Sequence, residues 1–231
     1  MGYLRFIISV FLTALAAVVC FPIVFFFPVS GVWAVAQVWS WLVLKVCQVT
    51  IEAEGLDTLD LSHGYLVLSN HTSFMDVVAL YRTVPFPIRF VAKRELTYAP
   101  VFGQVLLLGA AIIVDRGDRN KAIKSVERAQ KAIRKGQSIL VFPEGTRTSE
   151  GELGSFKKGA FYMATEAQVP VLPIGIQGSG NCLPPGGFSV TPGKIKLTAG
   201  KPIDSEGYPA SADGRNRLLE EVRDRLRALM A

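Results

Sequence analysis

The sequence predicts an α/β protein with a mixed central sheet flanked by helices and a two-helix membrane anchor at the amino terminus. Two features of the 231 residues support this fold class. From about residue 51 onward, short apolar runs alternate with helical stretches, which is the pattern of α/β layers. Before that point, only Arg5 and Lys45 are charged. We therefore assign residues 1–50 to a membrane-anchoring helical hairpin and residues 51–231 to the α/β domain.

The anchor contains two apolar runs. The first, residues 6–27, would extend about 33 Å as a helix, which is enough to enter or cross a bilayer. It is too long for a signal peptide, and no small-residue cleavage site closes it. Residues 28–31 break this helix before a second run at 32–46, which holds Trp33, Trp39 and Trp41. We interpret the pair as a hairpin that dips into or lies along one leaflet. The alternative is a single crossing by the first run, with the second packed on the globular domain.

In the α/β domain, the spacing of apolar residues predicts the elements in order. Strands are predicted at residues 65–69, 88–92, 111–114, 138–142, 171–175 and 194–199. Helices are predicted at residues 74–81, 120–134 and 213–230. The helix at 120–134 carries lysines and arginines away from its apolar face. We interpret it as a solvated cover for the sheet, with contact to lipid headgroups as the alternative.

Composition favours contact with lipid. Half of the residues are hydrophobic, and the formal net charge is +6. A basic surface suits anionic headgroups or phosphorylated substrates, whereas no motif supports nucleic-acid binding. The cysteines, Cys20, Cys47 and Cys182, are too scattered to indicate a disulfide framework or a metal cluster, which agrees with a reduced cytosolic environment.

The strongest chemical signal is the segment Asn70–Asp76, in which His71 precedes Asp76 by five residues. A carboxylate bonded to one imidazole nitrogen leaves the other free to take a proton from a hydroxyl group. The pair follows a predicted strand, and open α/β sheets bind ligands at the carboxyl ends of their strands. A simple helix cap is the alternative. The other histidine, His63, lies in a polar turn and is expected at the surface.

Three further segments place cations beside strand ends or helix starts, where anions bind. They run from Phe90 through Lys93 to Asp115 and Arg116, from Val141 to Arg147, and from Ser155 through Lys157 to Ala160. Arginine in particular matches phosphate oxygens with its planar guanidinium group. For each segment taken alone, a surface ion pair is the alternative.

With these segments assembled, the chain resembles the 1-acyl-glycerol-3-phosphate acyltransferases and related glycerolipid acyltransferases. Four blocks match in order, from the anchor to about residue 200. The first two are Asn-His-x-Ser-x-x-Asp at Asn70, His71, Ser73 and Asp76, and Lys-x-Glu-Leu with a later Asp-Arg at Lys93, Glu95, Leu96, Asp115 and Arg116. The others are Phe-Pro-Glu-Gly-Thr-Arg at residues 142–147, followed by Phe-Lys-Lys-Gly-Ala at 156–160, and Val-Pro-x-x-Pro at Val169, Pro170 and Pro173. Thr148 is a small departure, because many relatives have serine there.

The resemblance implies that an acyl group moves from acyl coenzyme A or acyl carrier protein to the free sn-2 hydroxyl of 1-acyl-glycerol-3-phosphate. His71 would be the general base and Asp76 its orienting partner, so no acyl-enzyme is needed and Ser73 is expected to support the site by hydrogen bonding. No cofactor and no metal are expected, since two histidines supply few ligands. The expected substrate-binding residues are Lys93, Arg116, Glu144, Gly145, Thr146, Arg147 and Lys157.

The resemblance also implies a location on the cytoplasmic face of the inner (plasma) membrane, with the bilayer and the lysophospholipid as partners. Other acceptors stay open, namely a lyso-ornithine lipid, lysophosphatidylglycerol or glycerol 3-phosphate. A membrane-anchored lipid-binding protein without activity is the alternative from another class. It would predict a damaged histidine–aspartate pair, whereas both residues are present.

Overall fold

The computed structural model describes residues 1–114 and 119–231, without the side chains of residues 109, 110 and 119–123. Within these residues, seven strands form one sheet in the order β1-β7-β6-β2-β5-β3-β4. The strands are β1 (Val49–Glu54), β2 (Leu66–Ser69), β3 (Ile88–Lys93), β4 (Ala111–Val114), β5 (Ser138–Val141), β6 (Val171–Gln177) and β7 (Gly193–Ala199). Six of them correspond to predicted strands, whereas β1 was not predicted.

The sheet is mixed, which confirms the predicted fold class. Strands β4, β3, β5, β2 and β6 are parallel neighbours, β7 is antiparallel to β6, and β1 is parallel to β7. Leu68 of β2 is in register with Val141 of β5 on one side and with Pro173 of β6 on the other. The segments that follow β2, β5 and β6 therefore leave the sheet at the same edge, which we call the carboxyl edge.

The helices are α1 (Gly2–Ile23), α2 (Ser30–Cys47), α3 (Met75–Thr83), α4 (Phe102–Val105), α5 (Arg119–Arg134), α6 (Gly159–Ala167), α7 (Ser179–Cys182) and α8 (Ala212–Leu229). The predicted helices correspond to α1, α2, α3, α5 and α8. Short 3₁₀ helices occur at Arg94–Tyr98 and Ser205–Gly207, and a π-helical turn at Leu106–Ala110 follows α4.

Hydrophobic clusters cover both faces of the sheet. Val67 and Leu140 point to the face covered by α2 and α3, and α1 packs against α2 and α4. Leu66 and Ile139 point to the other face, where α5, α6 and α8 pack. Because successive strand residues alternate between faces and both faces are covered, these strands are apolar throughout.

The two amino-terminal helices differ in burial. In α2, Trp39 makes edge-to-face contacts with Phe74 and Tyr81 and donates a hydrogen bond from Nε1 to Thr13 of α1, over 3.1 Å. By contrast, α1 leaves most of its apolar side chains exposed. Both helices are long and apolar enough to cross a membrane, a test that core helices and signal sequences also pass. Helix α2 ends at Cys47, and β1 begins two residues later at Val49. The predicted domain boundary at residue 50 stays a prediction.

Candidate active site

The carboxyl edge brings three predicted segments together. The segment with His71 follows β2, the segment from Phe142 to Arg147 follows β5, and Lys93 is the last residue of β3. The chain is joined across these segments, because the backbone N–H of Thr148 donates to the carbonyl oxygen of His71 over 2.9 Å. The block with His71 and the block from Phe142 to Arg147 are therefore neighbours in space.

His71 and Asp76 form a hydrogen-bonded pair. Nδ1 of His71 lies 2.8 Å from Oδ2 of Asp76, and the same oxygen accepts the backbone N–H groups of Thr72 and Ser73, each over 2.8 Å. The carboxylate is fully buried in the first turn of α3, where the helix dipole favours negative charge. Because Oδ2 can only accept, we infer that Nδ1 carries the proton and that Nε2 presents its lone pair.

The imidazole is held but not enclosed. Its ring stacks on Phe142, with centroids 3.9 Å apart and planes inclined by 11°. The His71 side chain is 19% exposed, and within the described part of the chain no hydrogen bond reaches Nε2. The stacking partner was not predicted, since an aromatic residue after a strand is usually part of the core. The geometry leaves one ring nitrogen accessible to a substrate.

Asn70 explains how the chain leaves β2. Its side-chain amide donates to the carbonyl oxygen of Ile176 and accepts the Ile176 N–H, both over 2.8 Å. The side chain thus continues the hydrogen bonding between β2 and β6 one step past Ser69, while the backbone is free to turn. This bonding fixes the starting direction of the His71 segment. The sequence matched Asn70 to a motif but did not reveal this role.

Ser73 is a structural support. The residue is fully buried, and its Oγ donates to the carbonyl oxygen of Leu183 over 2.6 Å while accepting the N–H of Met75 over 3.1 Å. Next to Leu183, burial raises the pKa of the Cys182 thiol to about 11, so this group is protonated at neutral pH. Neither side chain is placed as a nucleophile, and the Oγ contacts agree with the expectation that Ser73 supports the site by hydrogen bonding.

Glu144 contacts the protein backbone on both sides. The residue is 2% exposed, Oε1 accepts the His71 N–H over 2.9 Å, and Oε2 accepts the Gly154 N–H over 2.8 Å. A buried carboxylate is tolerated when hydrogen bonds replace its hydration. Glu144 thus positions the backbone of His71. Its predicted contact with a substrate stays a prediction.

Glu150 is a second bridging carboxylate, which sequence reasoning missed. Its Oε1 accepts the Gly178 N–H over 2.7 Å, and Oε2 accepts the Gly180 N–H over 2.6 Å. Thr72, beside His71, hydrogen-bonds to Ser179 through their hydroxyl groups over 2.7 Å. Glu150 therefore ties the segment after β5 to the segment after β6, directly behind the His71 segment. An isolated glutamate in a polar loop gave no signal for this.

The predicted substrate-binding cations are exposed. Lys93, Arg147 and Lys157 are all open to solvent, and in the described part of the chain none of them forms an ion pair. The surface ion pairs that were the alternative are therefore not present for these three. The other expected residues are Thr146, which is exposed, Gly145, which is buried with φ of +72°, and Arg116, which lies outside the described residues.

Comparison with known proteins agrees with these features. Residues 50–177, more than half of the chain, match the family model described as Acyltransferase. An uncharacterized acyltransferase of Schizosaccharomyces pombe is 32% identical over 199 residues, covering 85% of this chain and 71% of that protein. The chloroplastic 1-acyl-sn-glycerol-3-phosphate acyltransferase of Arabidopsis thaliana is 36% identical over 137 residues, covering 59% of this chain and 38% of its own length. The human 1-acyl-sn-glycerol-3-phosphate acyltransferase alpha is 37% identical over 127 residues, covering 54% and 45%. The matched region thus spans less than half the length of the latter two proteins.

The fold is also that of a solved structure. The crystal structure of the 1-acyl-sn-glycerophosphate acyltransferase PlsC from Thermotoga maritima matches with a TM-score of 0.83, covering 99% of this chain and 94% of that one. At 24% sequence identity, this likeness shows the shared fold. Together with the family model, it confirms the resemblance inferred from the four sequence blocks. The chain belongs to the acyltransferase family.

Proposed function

We propose that the protein transfers a fatty acyl group from a coenzyme A or acyl carrier protein thioester to the free sn-2 hydroxyl of 1-acyl-glycerol-3-phosphate, giving phosphatidic acid. The observation that carries this proposal is the His71–Asp76 pair, with Nε2 accessible at the carboxyl edge. Relatives named as 1-acyl-sn-glycerol-3-phosphate acyltransferases support the choice of acceptor.

In this mechanism, Nε2 of His71 takes the hydroxyl proton as the acceptor oxygen attacks the thioester carbonyl. The new C–O bond gives a tetrahedral intermediate, the C–S bond then breaks, and the imidazolium returns the proton to the departing thiolate. Asp76 stabilises the imidazolium while it exists. General base catalysis of this kind contributes about 10²–10⁴-fold. The products are an ester and a free thiol, and the histidine ends neutral.

The cations at the carboxyl edge would bind the acceptor phosphate. Arg147 follows the turn at Gly145, and Lys157 is tied to the same turn by a backbone hydrogen bond from its N–H to Pro143 over 2.7 Å. Exposed cations without a carboxylate partner are suited to anions. The Gly145 N–H donates to Phe142 over 3.1 Å, which argues against its use for the developing oxyanion.

We further propose that the protein works at a membrane, on its cytoplasmic face. Phe11 on the exposed side of α1 and Phe25, Phe26 and Phe27 in the turn that follows this helix are between 59% and 79% exposed. Contiguous exposed apolar surface on this scale is typical of contact with a membrane or a partner. A lipid-borne acceptor would thereby remain near its bilayer while the thioester arrives from water.

The experiment measures acyl transfer by purified protein from labelled acyl coenzyme A and acyl carrier protein to a panel of lysolipids. The panel contains 1-acyl-glycerol-3-phosphate, lysophosphatidylglycerol and a lyso-ornithine lipid. We expect the first to be preferred, because the unpaired cations favour a terminal phosphate. Transfer to lyso-ornithine lipid alone would overturn the proposed acceptor, and no transfer to any lysolipid would overturn the proposed activity.

His71→Ala should reduce transfer to the limit of detection and leave the fold intact. His63→Ala is the matched control, because His63 is the other histidine, has a 42% exposed side chain and contacts Asp60 at 3.7 Å and the ring of Tyr65, both outside the candidate site. The control should retain activity. Substantial turnover by His71→Ala, with an unfolding transition like that of the wild type, would remove the imidazole from the mechanism.

A further inference from the structure

One side of α5 carries cations at regular helical spacing. Lys124, Arg128 and Lys131 are four and three residues apart, and Lys135 follows four residues later, directly after the helix ends. Residues at this spacing lie on one face of a helix. All four are exposed. We call them the α5 stripe.

The α5 stripe differs from the other basic helix. On α8, three arginines are neutralised by acids of the same helix, in the pairs Arg223–Glu220, Arg225–Glu221 and Arg227–Asp224, at 3.1 to 3.4 Å. No residue of the α5 stripe forms an ion pair within the described part of the chain. The exposed Glu127 lies beside Lys124 and Lys131 without an ion pair to either among the described residues, so the four cations of the α5 stripe keep a positive excess. Such an excess attracts and steers an acidic partner.

The position of α5 favours a partner from water over the bilayer. Helices α5, α6 and α8 cover one face of the sheet, whereas α2 and α3 cover the other, and the apolar α1 packs against α2 and α4. Helix layers pack about 10 Å from a neighbouring layer. A bilayer in contact with α1 therefore lies on the side of the protein away from the α5 stripe.

The α5 stripe also begins close to the carboxyl edge. Ser125, next to Lys124, donates a hydrogen bond from Oγ to the carbonyl oxygen of Ile113 over 2.8 Å, one residue before β4 ends. The strand that precedes His71 is β2, and β5 and β3 lie between β2 and β4 in the sheet. Three strand spacings are about 14 Å. A partner docked here can reach the site with a flexible arm.

We propose that the α5 stripe docks an acidic carrier protein that presents the acyl group as a thioester. This proposal rests on the acyltransferase function proposed above and names the donor for that same site. The acceptor enters from the membrane side and the carrier binds on the opposite face, so that the two substrates meet at His71 without competing for one surface. The transfer reaction itself is the one proposed above, with a carrier-protein thioester as the donor.

The test compares two donors with the same acceptor, 1-acyl-glycerol-3-phosphate in detergent micelles. In a triple variant, Lys124→Gln, Arg128→Gln and Lys131→Gln remove three charges of the α5 stripe. We expect KM for acyl carrier protein to rise about tenfold at low salt, the combined effect of three exposed ion pairs, with kcat nearly unchanged. KM for acyl coenzyme A should change less than twofold. Added salt should raise KM of the wild type for the carrier toward that of the variant.

The matched control removes three cations elsewhere, by Lys201→Gln, Arg225→Gln and Arg227→Gln. All three residues are exposed, and the net charge changes equally. This variant should behave as the wild type with both donors. An equal rise of KM for acyl carrier protein in both triple variants would show that only the total charge matters, and it would overturn a specific docking surface.

Three other results would also overturn the proposal. The first is an unchanged KM for acyl carrier protein in the α5 variant, and the second is a rise shared by both donors. The third is loss of binding to anionic vesicles without a change in carrier kinetics, which would assign the α5 stripe to the bilayer. If the wild type transfers acyl groups from neither donor, the proposed acyltransferase function is overturned. Titration calorimetry of the carrier protein with the wild type and with the α5 variant then decides whether the α5 stripe binds the carrier.

Discussion

Replacing Asp76 with asparagine tests the catalytic pair with little change in shape. The amide oxygen can take the place of Oδ2 and still accept from His71 Nδ1 and from the N–H groups of Thr72 and Ser73. The reverse orientation would bring the amide NH₂ against two backbone N–H groups, so it is disfavoured. The substitution therefore keeps the tautomer of His71 and removes the negative charge.

The size of the expected effect follows from the distance. Two unit charges 2.8 Å apart attract by about 6 kcal/mol at an effective dielectric constant near 20. This is an upper limit, because the imidazolium is only partly formed in the transition state. Since 1.36 kcal/mol corresponds to tenfold in rate, we expect kcat to fall by about 10²–10⁴-fold. The KM of either substrate should change little, because Asp76 is buried behind His71.

Stability measurements separate catalysis from folding. Oδ1 of Asp76 is buried and accepts no hydrogen bond from the described residues, so the asparagine NH₂ takes the place of an atom that has no partner. A buried unsatisfied donor costs about 1–3 kcal/mol. The control is Asp204→Asn, the same change at an exposed carboxylate that accepts the Glu206 N–H, and it should leave kcat unchanged. If Asp76→Asn retained kcat within threefold, imidazolium stabilisation would have no part in the mechanism.

Two further substitutions test the surroundings of the pair. Glu150→Ala leaves the N–H groups of Gly178 and Gly180 without their acceptor, so we expect the free energy of unfolding to fall by about 1–3 kcal/mol. We also expect kcat to fall severalfold. A stabilising osmolyte should restore the folded fraction of the variant but not its kcat. A wild-type kcat would show that this bridge does not position the His71 segment. Arg147→Ala should raise KM for 1-acyl-glycerol-3-phosphate about tenfold, with kcat less affected and KM for a phosphate-free monoacylglycerol unchanged. An equal change for both acceptors would contradict a contact with phosphate.

The sequence was most informative where one local pattern determined one element. The buried parallel strands are short and apolar on both faces, so their positions were predicted almost to the residue, as at Ala111–Val114. By contrast, β1 at Val49–Glu54 has a mostly exposed burial pattern and directly follows α2. Its pairing with β7, more than 140 residues away, depends on the tertiary fold and leaves no local signal.

The same distinction applies to the site. His71 and Asp76 lie in one short segment, so their pairing followed from spacing and is confirmed by the 2.8 Å contact. The stacking of Phe142 and the two carboxylate bridges join segments that are distant in the chain. Residue type alone did not reveal that Glu144 and Glu150 accept backbone N–H groups of other segments. That finding needed the burial of the side chains and the identity of the hydrogen-bond donors.

The Phe-Pro-Glu-Gly-Thr-Arg block shows how one short segment serves two tasks. Before the turn, Phe142 stacks on the imidazole and Glu144 accepts the His71 N–H, so both act toward the interior. After it, Thr146 and Arg147 are exposed. Gly145 separates the two halves with a φ of +72°, a conformation that costs other residues roughly 1–2 kcal/mol. The turn thus reverses which way the chain presents its side chains, so that the residues that hold the base and those that would bind the anion are fixed to each other. Next to Arg147, the Thr148 N–H donates to the carbonyl oxygen of His71 over 2.9 Å, so the backbone joins the proposed anion-binding cation to the proposed base. An acceptor with a phosphate and a free hydroxyl group would need to contact both at once.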